Sequence, residues 1–258
     1  MSARHVVLTV AYDGTAYCGF QRQRPGPKAS IQEVLEGAIR QALGAPVRLV
    51  GAGRTDAGVH AEKQVVSFRA ATTIPLPRLP YAVNRFLPPD IVVTGALEAG
   101  DRFHPRFSAA SKVYRYTIWR AEFPSPFLRR YSWHRPEPLD VEAMRRAASL
   151  LVGRQDFAAL GAAGRPVRDT VRTVFRCEVE ERPPLLVVRV EADGFLYKMA
   201  RTIVGTLVEV GRGKLAPEGL REILASRDRR RAGPAAPALG LCLEDVRYRS
   251  VDTPAGLL

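Results

Sequence analysis

Eleven consecutive residues carry the clearest chemistry in this chain: Gly51-Ala52-Gly53-Arg54-Thr55-Asp56-Ala57-Gly58-Val59-His60-Ala61. One carboxylate stands among three glycines, with an arginine, a threonine and a histidine beside it. Glycine lets backbone approach a ligand and adopt turns that other residues resist. A carboxylate fixed in such a loop suits attack on an electrophilic carbon or the movement of a proton. The same residue type also caps and turns its own loop through bonds to neighbouring amides. If the chain has a catalytic centre, Asp56 is its residue.

Other chemistries find little support. Gly51-Ala52-Gly53 opens like a dinucleotide fingerprint, but the sixth position is Asp56 rather than glycine. The segment that follows, Gln64 to Phe68, reads as a strand and not as a phosphate-capping helix. No GxxxxGK[ST] run is present, so no nucleotide triphosphate is implied. Cys18, Cys177 and Cys242 are far apart and odd in number, which points to three reduced thiols. His5, His60, His104 and His134 have no metal-ligand spacing, so no metal is expected.

The elements that must position the loop are legible in outline. Residues 5–12 are β-branched and aliphatic and read as a strand, with Asp13-Gly14-Thr15 as a turn. Ser30-Ile31-Gln32-Glu33 has the capping-box pattern, and an apolar stripe from Ile31 to Leu43 follows it until Gly44. Val47 to Val50 and Gln64 to Phe68 read as strands flanking the Asp56 loop. A short helix is expected near Tyr81 to Phe86 and a strand over Ile91 to Ala96. Residues 101–111 form a basic connector. Lys112 to Trp119 reads as a strand with Tyr114, Tyr116 and Ile118 on one face. Asp140 is expected to cap a helix running to Val152, ended by Gly153. Val171 to Glu180 and Leu185 to Glu191 suit paired strands. Residues 196–210 read as an amphipathic helix, followed by a helix near Glu218 to Ala225 and a strand over Leu241 to Tyr248. Ser250 to Leu258 reads as a loosely held tail.

Charge narrows the partner. The 258 residues carry 39 basic and 26 acidic side chains, a net charge of +13, and only five of the bases are lysine. Arginine binds phosphate in a planar, bidentate manner and stacks on bases. A chain this basic with no apolar run near the roughly 20 residues of a membrane span points to a polyanionic partner. Residues 1–5 run straight into a strand with no signal-peptide pattern, so a cytoplasmic protein is expected.

Several blocks resemble one known family. Gly53-Arg54-Thr55-Asp56-Ala57-Gly58-Val59-His60-Ala61 resembles the signature of the tRNA pseudouridine synthase A (TruA) family. Tyr12 to Thr15 with Gly19 to Gln23 is similar to its N-terminal motif. Phe103 to Ala109 and Lys112 to Tyr116 are similar to its central motif. Asp193 to Arg201 with Ile203-Val204-Gly205 resembles its C-terminal helix, and Ala236 to Leu241 its closing block. Ala200, where a larger aliphatic residue is common, and the stretch 161–169 depart from the pattern.

This resemblance implies a pseudouridine synthase fold of the α+β type, in which two α/β halves, 1–108 and 109–258, share a largely antiparallel sheet with flanking helices. It implies an RNA isomerase that needs no cofactor and converts uridine to pseudouridine at positions 38–40 of the tRNA anticodon stem-loop. Asp56 would be the catalytic residue, attacking the sugar or assisting proton removal at C1′. Ordinary glycoside hydrolysis uses two carboxylates, whereas a detached base that is recaptured needs no activated water. Tyr114 would stack on the target uracil, and Arg201 would pair with the carboxylate, favouring its charged form. Arg54 is open to holding a phosphate. His60 is open to packing, to contacting RNA or to acting as a general base. Arg22 and Arg24 suit an RNA-facing loop or a solvated one. Arg227, Arg229, Arg230 and Arg231 suit a mobile phosphate-binding segment or a solvated linker. The family works as a homodimer in which one tRNA contacts both subunits, so tRNA and a second copy are the expected partners.

Overall fold

The aliphatic run near the N-terminus forms β1 (Arg4–Tyr12), whose Val6, Val7, Leu8 and Val10 are all buried. The structure is a computed structural model that describes residues 3–23, 26–162 and 169–249. Arg24, most of the 161–169 stretch and the 250–258 tail therefore lie outside the described residues. The chain divides into two compact units, Met1–Ser111 with Cys242–Leu258, and Lys112–Leu241.

In the first unit, Ser30 caps α1 (Ile31–Leu43) through a complete capping box with Glu33. Ile31, Leu35, Ala38 and Ile39 bury its apolar stripe, and Gly44 ends it in the left-handed region. The short β2 (Val50–Gly51) leads through the Asp56 loop into β3 (His60–Ala70). Then follow α2 (Leu79–Asn84) and β4 (Ile91–Glu98). β1 lies between β3 and β4, antiparallel to both, with Val6 opposite Phe68 and Glu98. β2 is also antiparallel to β3, with Val50 opposite Ser67.

The chain enters the second unit along β5 (Ala109–Trp119), and β6 (Trp133–His134) follows. Asp140 caps α3 (Val141–Ser149), which leads to β7 (Gly153–Asp156), β8 (Val171–Arg182) and β9 (Leu185–Ala192). α4 (Met199–Gly211) and α5 (Gly219–Ser226) follow. β9 runs antiparallel to both β5 and β8, with Val188 opposite Tyr116 and Val179, and β7 pairs antiparallel with β8. The chain then returns to the first unit as β10 (Leu241–Tyr248), where Cys242 and Leu243 run parallel to His60 and Ala61 of β3. Each unit is thus a mixed α/β body built on a mostly antiparallel sheet, as the expected fold class requires. No helix among the described residues is long and apolar enough to cross a membrane.

Two local departures from the sequence reading have physical causes. The helix expected from residue 196 starts at Met199, because Lys198 adopts the left-handed region at φ 62°. That helix is also buried on nearly every face rather than amphipathic. Gly205 allows this: a Cβ there would lie 1.7 Å from the carbonyl oxygen of Pro234. The 233–236 segment presses against α4, with the Gly233 amide donating to Thr206 Oγ1 at 3.0 Å and the Ala236 amide to the Arg201 carbonyl at 2.9 Å.

Gly205→Ala should therefore cost about 3 kcal/mol through overpacking. Gly37→Ala, in α1 where an added Cβ meets nothing within 4 Å, should instead stabilise by about 0.5–1 kcal/mol. Urea unfolding of both variants checks the contrast. The capping box adds a pH dependence. The Ser30 amide, and after it the Ser30 hydroxyl, hold the Glu33 carboxyl below its ordinary range. Because the folded pKa is depressed, this contribution is present above the unfolded value near about 4.3 and is lost as pH falls through the folded value. The urea midpoint of Glu33→Gln should fall less steeply than that of the wild type on acidification below about pH 5.

Candidate active site

The Asp56 loop is the link between β2 and β3, and buried hydrogen bonds fasten it on both sides of the carboxylate. Thr55 is buried, and its Oγ1 lies 2.8 Å from the hydroxyl of Tyr12 at the end of β1. The Thr55 carbonyl accepts from the amide of Phe20 at 3.1 Å. One turn further, the Val59 amide closes on the Asp56 carbonyl at 3.1 Å, with Gly58 in the left-handed region at φ 77°. Gln64 on β3 is fully buried, and its Nε2 donates to the Gly53 carbonyl at 3.0 Å. Asp56 itself is half-buried at the centre of these anchors, and Arg54 is exposed beside it. Burial pushes the Tyr12 hydroxyl far above its ordinary pKa, so it stays protonated and keeps its bonds to Thr55 and Gln64.

Residues 13–22 form the wall against which the loop rests. A Cβ on Gly14 would sit 2.0 Å from the Val59 carbonyl oxygen, so only glycine fits there. The Gly14 amide donates to His60 Nδ1 at 3.1 Å, while the same nitrogen lies 3.0 Å from Asp13 Oδ1. One nitrogen cannot accept from the amide and donate to the carboxylate at once. The amide hydrogen is fixed by the backbone, and Asp13 Oδ1 already accepts from the amide and hydroxyl of Thr15. Nδ1 therefore serves the amide when it carries a lone pair and the carboxylate when it carries the proton. His60, buried at the first position of β3, thus braces the Asp13-Gly14 turn.

The arginines near the loop divide by their partners. Arg54 Nε donates to Gln21 Oε1 at 2.6 Å. Arg22 turns towards α1, where its guanidinium lies 2.8 Å from Glu36 Oε2. Glu36 and Gln32 occupy buried positions on that helix. Glu36 Oε1 accepts from the Gln32 carboxamide at 2.9 Å and from the Leu49 amide at 3.0 Å, and the Gln32 carboxamide also donates to the Leu49 carbonyl. This buried network holds the approach to β2. Beside the loop lies a groove of about 490 Å³, lined among others by Thr15, Tyr17, Lys28, Ala57 and Gly58.

Tyr114 and Arg201 belong to the second unit. Tyr114 lies on the buried face of β5 with Tyr116 and Ile118, as the alternation predicts, and Phe195 meets its ring edge-on at 4.8 Å. Tyr116 donates its hydroxyl to the Pro237 carbonyl at 2.8 Å and is the deeper of the two. Arg201 sits half-buried in the first turn of α4, and its Nε donates to the Ala236 carbonyl at 2.7 Å. The basic run from Arg227 is tied down: Arg227 pairs with Asp156 at 2.8 Å, Arg230 with Asp228 at 2.8 Å and Arg231 with Glu222 at 3.3 Å.

Tyr12, Gln64, Gln32 and Glu36 are supporting residues that sequence reasoning missed. Gln64 had a signal: it is a carboxamide directly ahead of the apolar Val65-Val66 pair of a strand, which asks for a buried partner. Gln32 and Glu36 had none, because polar residues on a helix read as its solvated side.

Known proteins share long stretches of this sequence. The family model described as "tRNA pseudouridine synthase" matches residues 8–108 and 147–249. Those segments contain Arg54, Asp56, His60 and Arg201, and Tyr114 lies between them. A tRNA pseudouridine synthase A of Moorella thermoacetica is 49% identical over 93% of this chain and 98% of its own. One from Geobacter sulfurreducens is 48% identical over 95% of this chain and 100% of its own. Among solved structures, a chain of a Cbf5-Nop10-Gar1 complex aligns over 79% of this chain and 45% of its own, at a TM-score of 0.35 and 16% identity, too distant to support an inference. The chain belongs to the tRNA pseudouridine synthase family.

Proposed function

We propose that this protein isomerises uridine to pseudouridine in the tRNA anticodon stem-loop, at positions 38–40, with Asp56 as the catalytic carboxylate. The observation that carries the reading is one half-exposed carboxylate held rigidly by buried anchors, in a chain of this family. The bond from uracil N1 to ribose C1′ breaks, the base turns, and C5 joins C1′. The proton displaced from C5 leaves to solvent and N1 gains one, so the reaction is balanced without a redox partner. Asp56 acts at the sugar. Rigid placement matters for such a group, since a displacement of about 1 Å can cost about 100-fold in rate.

The other residues take supporting roles. Tyr114 is the aromatic face for the extruded uracil, with its ring plane set by Phe195. Arg201 is the counter-charge for the carboxylate. Arg54, exposed on the loop, takes a phosphate next to the target, and His60 supports that substrate-facing loop from beneath. The basic chain supplies sequence-independent phosphate contacts, so binding weakens steeply with salt. The protein works in the cytoplasm as a homodimer with tRNA bridging both copies.

Transfer RNA carrying tritium at uridine C5 provides the assay. Wild type should release tritium and leave the strand intact, and no release from any cytoplasmic tRNA would refute the isomerase. Asp56→Ala should abolish release while retaining tRNA binding. Asp56→Glu should lose about 100-fold, because the longer side chain misplaces the carboxylate. Tyr12→Phe removes the hydroxyl that anchors Thr55 without touching Asp56. It should cost about 1 kcal/mol of stability and lower kcat with KM for tRNA unchanged. Equal kcat in Tyr12→Phe and wild type would show that the buried bond does not position the carboxylate.

A further inference from the structure

The excursion between β5 and β6 has a feature that the isomerase chemistry does not use. It leaves the sheet after Trp119 and returns at Trp133, and its neck is closed by parallel pairing of Ile118 with Trp133 and of Trp119 with His134. A closed loop of this length is an Ω-type element, a kind that is often functional. It lies between the two segments that the family model matches.

The loop is well fastened inside. Trp119 Nε1 donates to the Phe123 carbonyl at 2.8 Å, and the imidazole Nε2 of His134 is 2.9 Å from the Ala121 carbonyl. The Leu128 carbonyl accepts from the Tyr131 amide at 2.8 Å and from Ser132 Oγ at 2.9 Å. Pro124 and Pro126 limit the backbone between Phe123 and Phe127. Yet Phe123 is 73% exposed and Phe127 85%. Two phenyl rings held out by a fastened loop leave apolar surface in water, which marks a surface that something covers.

Charge selects the occupant. Arg129 and Arg130 follow Phe127 in the chain, both exposed, and Arg129 forms no ion pair with any described residue. Glu122 is the single acid between residues 120 and 132. A second copy docking here with its two-fold axis at this arginine pair would bring the pair against its own mate, a like-charge contact. Unpaired RNA offers the opposite: flat base faces for the phenyl rings and phosphates for the guanidinium groups.

We propose that the 120–132 loop is an RNA-docking surface separate from the Asp56 loop, in which Phe123 and Phe127 stack on unpaired bases and Arg129 and Arg130 hold their phosphates. The proposal rests on the reading above that tRNA is the substrate. Its test is the affinity of full-length tRNA for the intact protein, followed by fluorescence anisotropy at fixed salt. Phe127→Ala and Phe123→Ala should each weaken binding about 10- to 100-fold, as loss of one base stack does. Phe127→Trp should bind as wild type, and Phe127→Leu, apolar but without a π-face, should bind like alanine. Arg129→Ala should reduce the slope of log affinity against log salt by about one, while the phenylalanine variants leave that slope alone.

Sedimentation should show the same assembly mass in every variant, and saturating tRNA should restore tritium release to Phe127→Ala. Unchanged affinity in both alanine variants would overturn the proposal. So would rescue by leucine equal to that by tryptophan, or a change of assembly mass, which would make the loop a contact between protein chains. A wild type that binds tRNA but releases no tritium would overturn the isomerase and leave this surface standing.

Discussion

The placement of Asp56 depends on one constraint: Thr55, the residue before it, is buried and must have both polar ends satisfied. Its hydroxyl can meet Tyr12 only if β1 ends where it does, and its carbonyl can meet the Phe20 amide only if residues 13–19 fold back across the loop. An unmet buried polar group costs about 1–3 kcal/mol. A loop displaced by a few ångströms would leave several unmet, since Gly53 and Gly14 depend on Gln64 and His60 in the same way. The carboxylate is fixed less by its own contacts than by the penalty for moving its neighbours.

That constraint extends into the rest of the first unit. The carbonyls of Gly19 and Phe20 accept the amides of Ile31 and Gln32, which are otherwise orphaned at the start of α1. The capping box of Ser30 and Glu33 meets the remaining need at that helix end. Gln32 and Glu36 then carry the connection on to Leu49, just ahead of β2. The wall behind the loop, the helix and the strand leading into the loop are therefore one hydrogen-bonded circuit. In the second unit the equivalent device is steric. Gly205 admits the 233–236 segment against α4, and the Arg201 side chain and backbone are both bound to Ala236 as a result.

These two devices explain what could be read from the sequence and what could not. The capping box, the β-branched runs and the Asp56 block are local signals, and α1, β1, β10 and the loop lie where those signals put them. Gly205 was legible as a place for close approach, because a glycine inside an apolar helix needs a packing reason. The identity of the approaching backbone was not, since Pro234 lies a loop and a helix away. Arg22 read as an arm for RNA or solvent, and it serves Glu36 instead, a partner that only the folded chain brings near. β7 (Gly153–Asp156) was missed because its Arg154-Gln155-Asp156 has no apolar alternation; β8 recruits it. Periodicity describes how a segment meets water or core, and it is silent on which distant polar group completes a buried pair.

The arginines show the same limit in terms of charge. A net charge of +13 suggests a surface of cations awaiting phosphate, yet many of the arginines have acidic partners within the fold. Arg230 holds Asp228 down to a pKa of about 2. Such exposed pairs add little to stability, because water already solvates both ions. They fix where a guanidinium points more than they strengthen the fold. An arginine so oriented has lost part of its side-chain entropy before any ligand arrives, and its remaining N–H groups still face outward in a planar fork. A basic protein that spends arginine rather than lysine on internal pairs can therefore keep the same residues useful to an RNA backbone. Which cations do so depends on local geometry, which composition does not report.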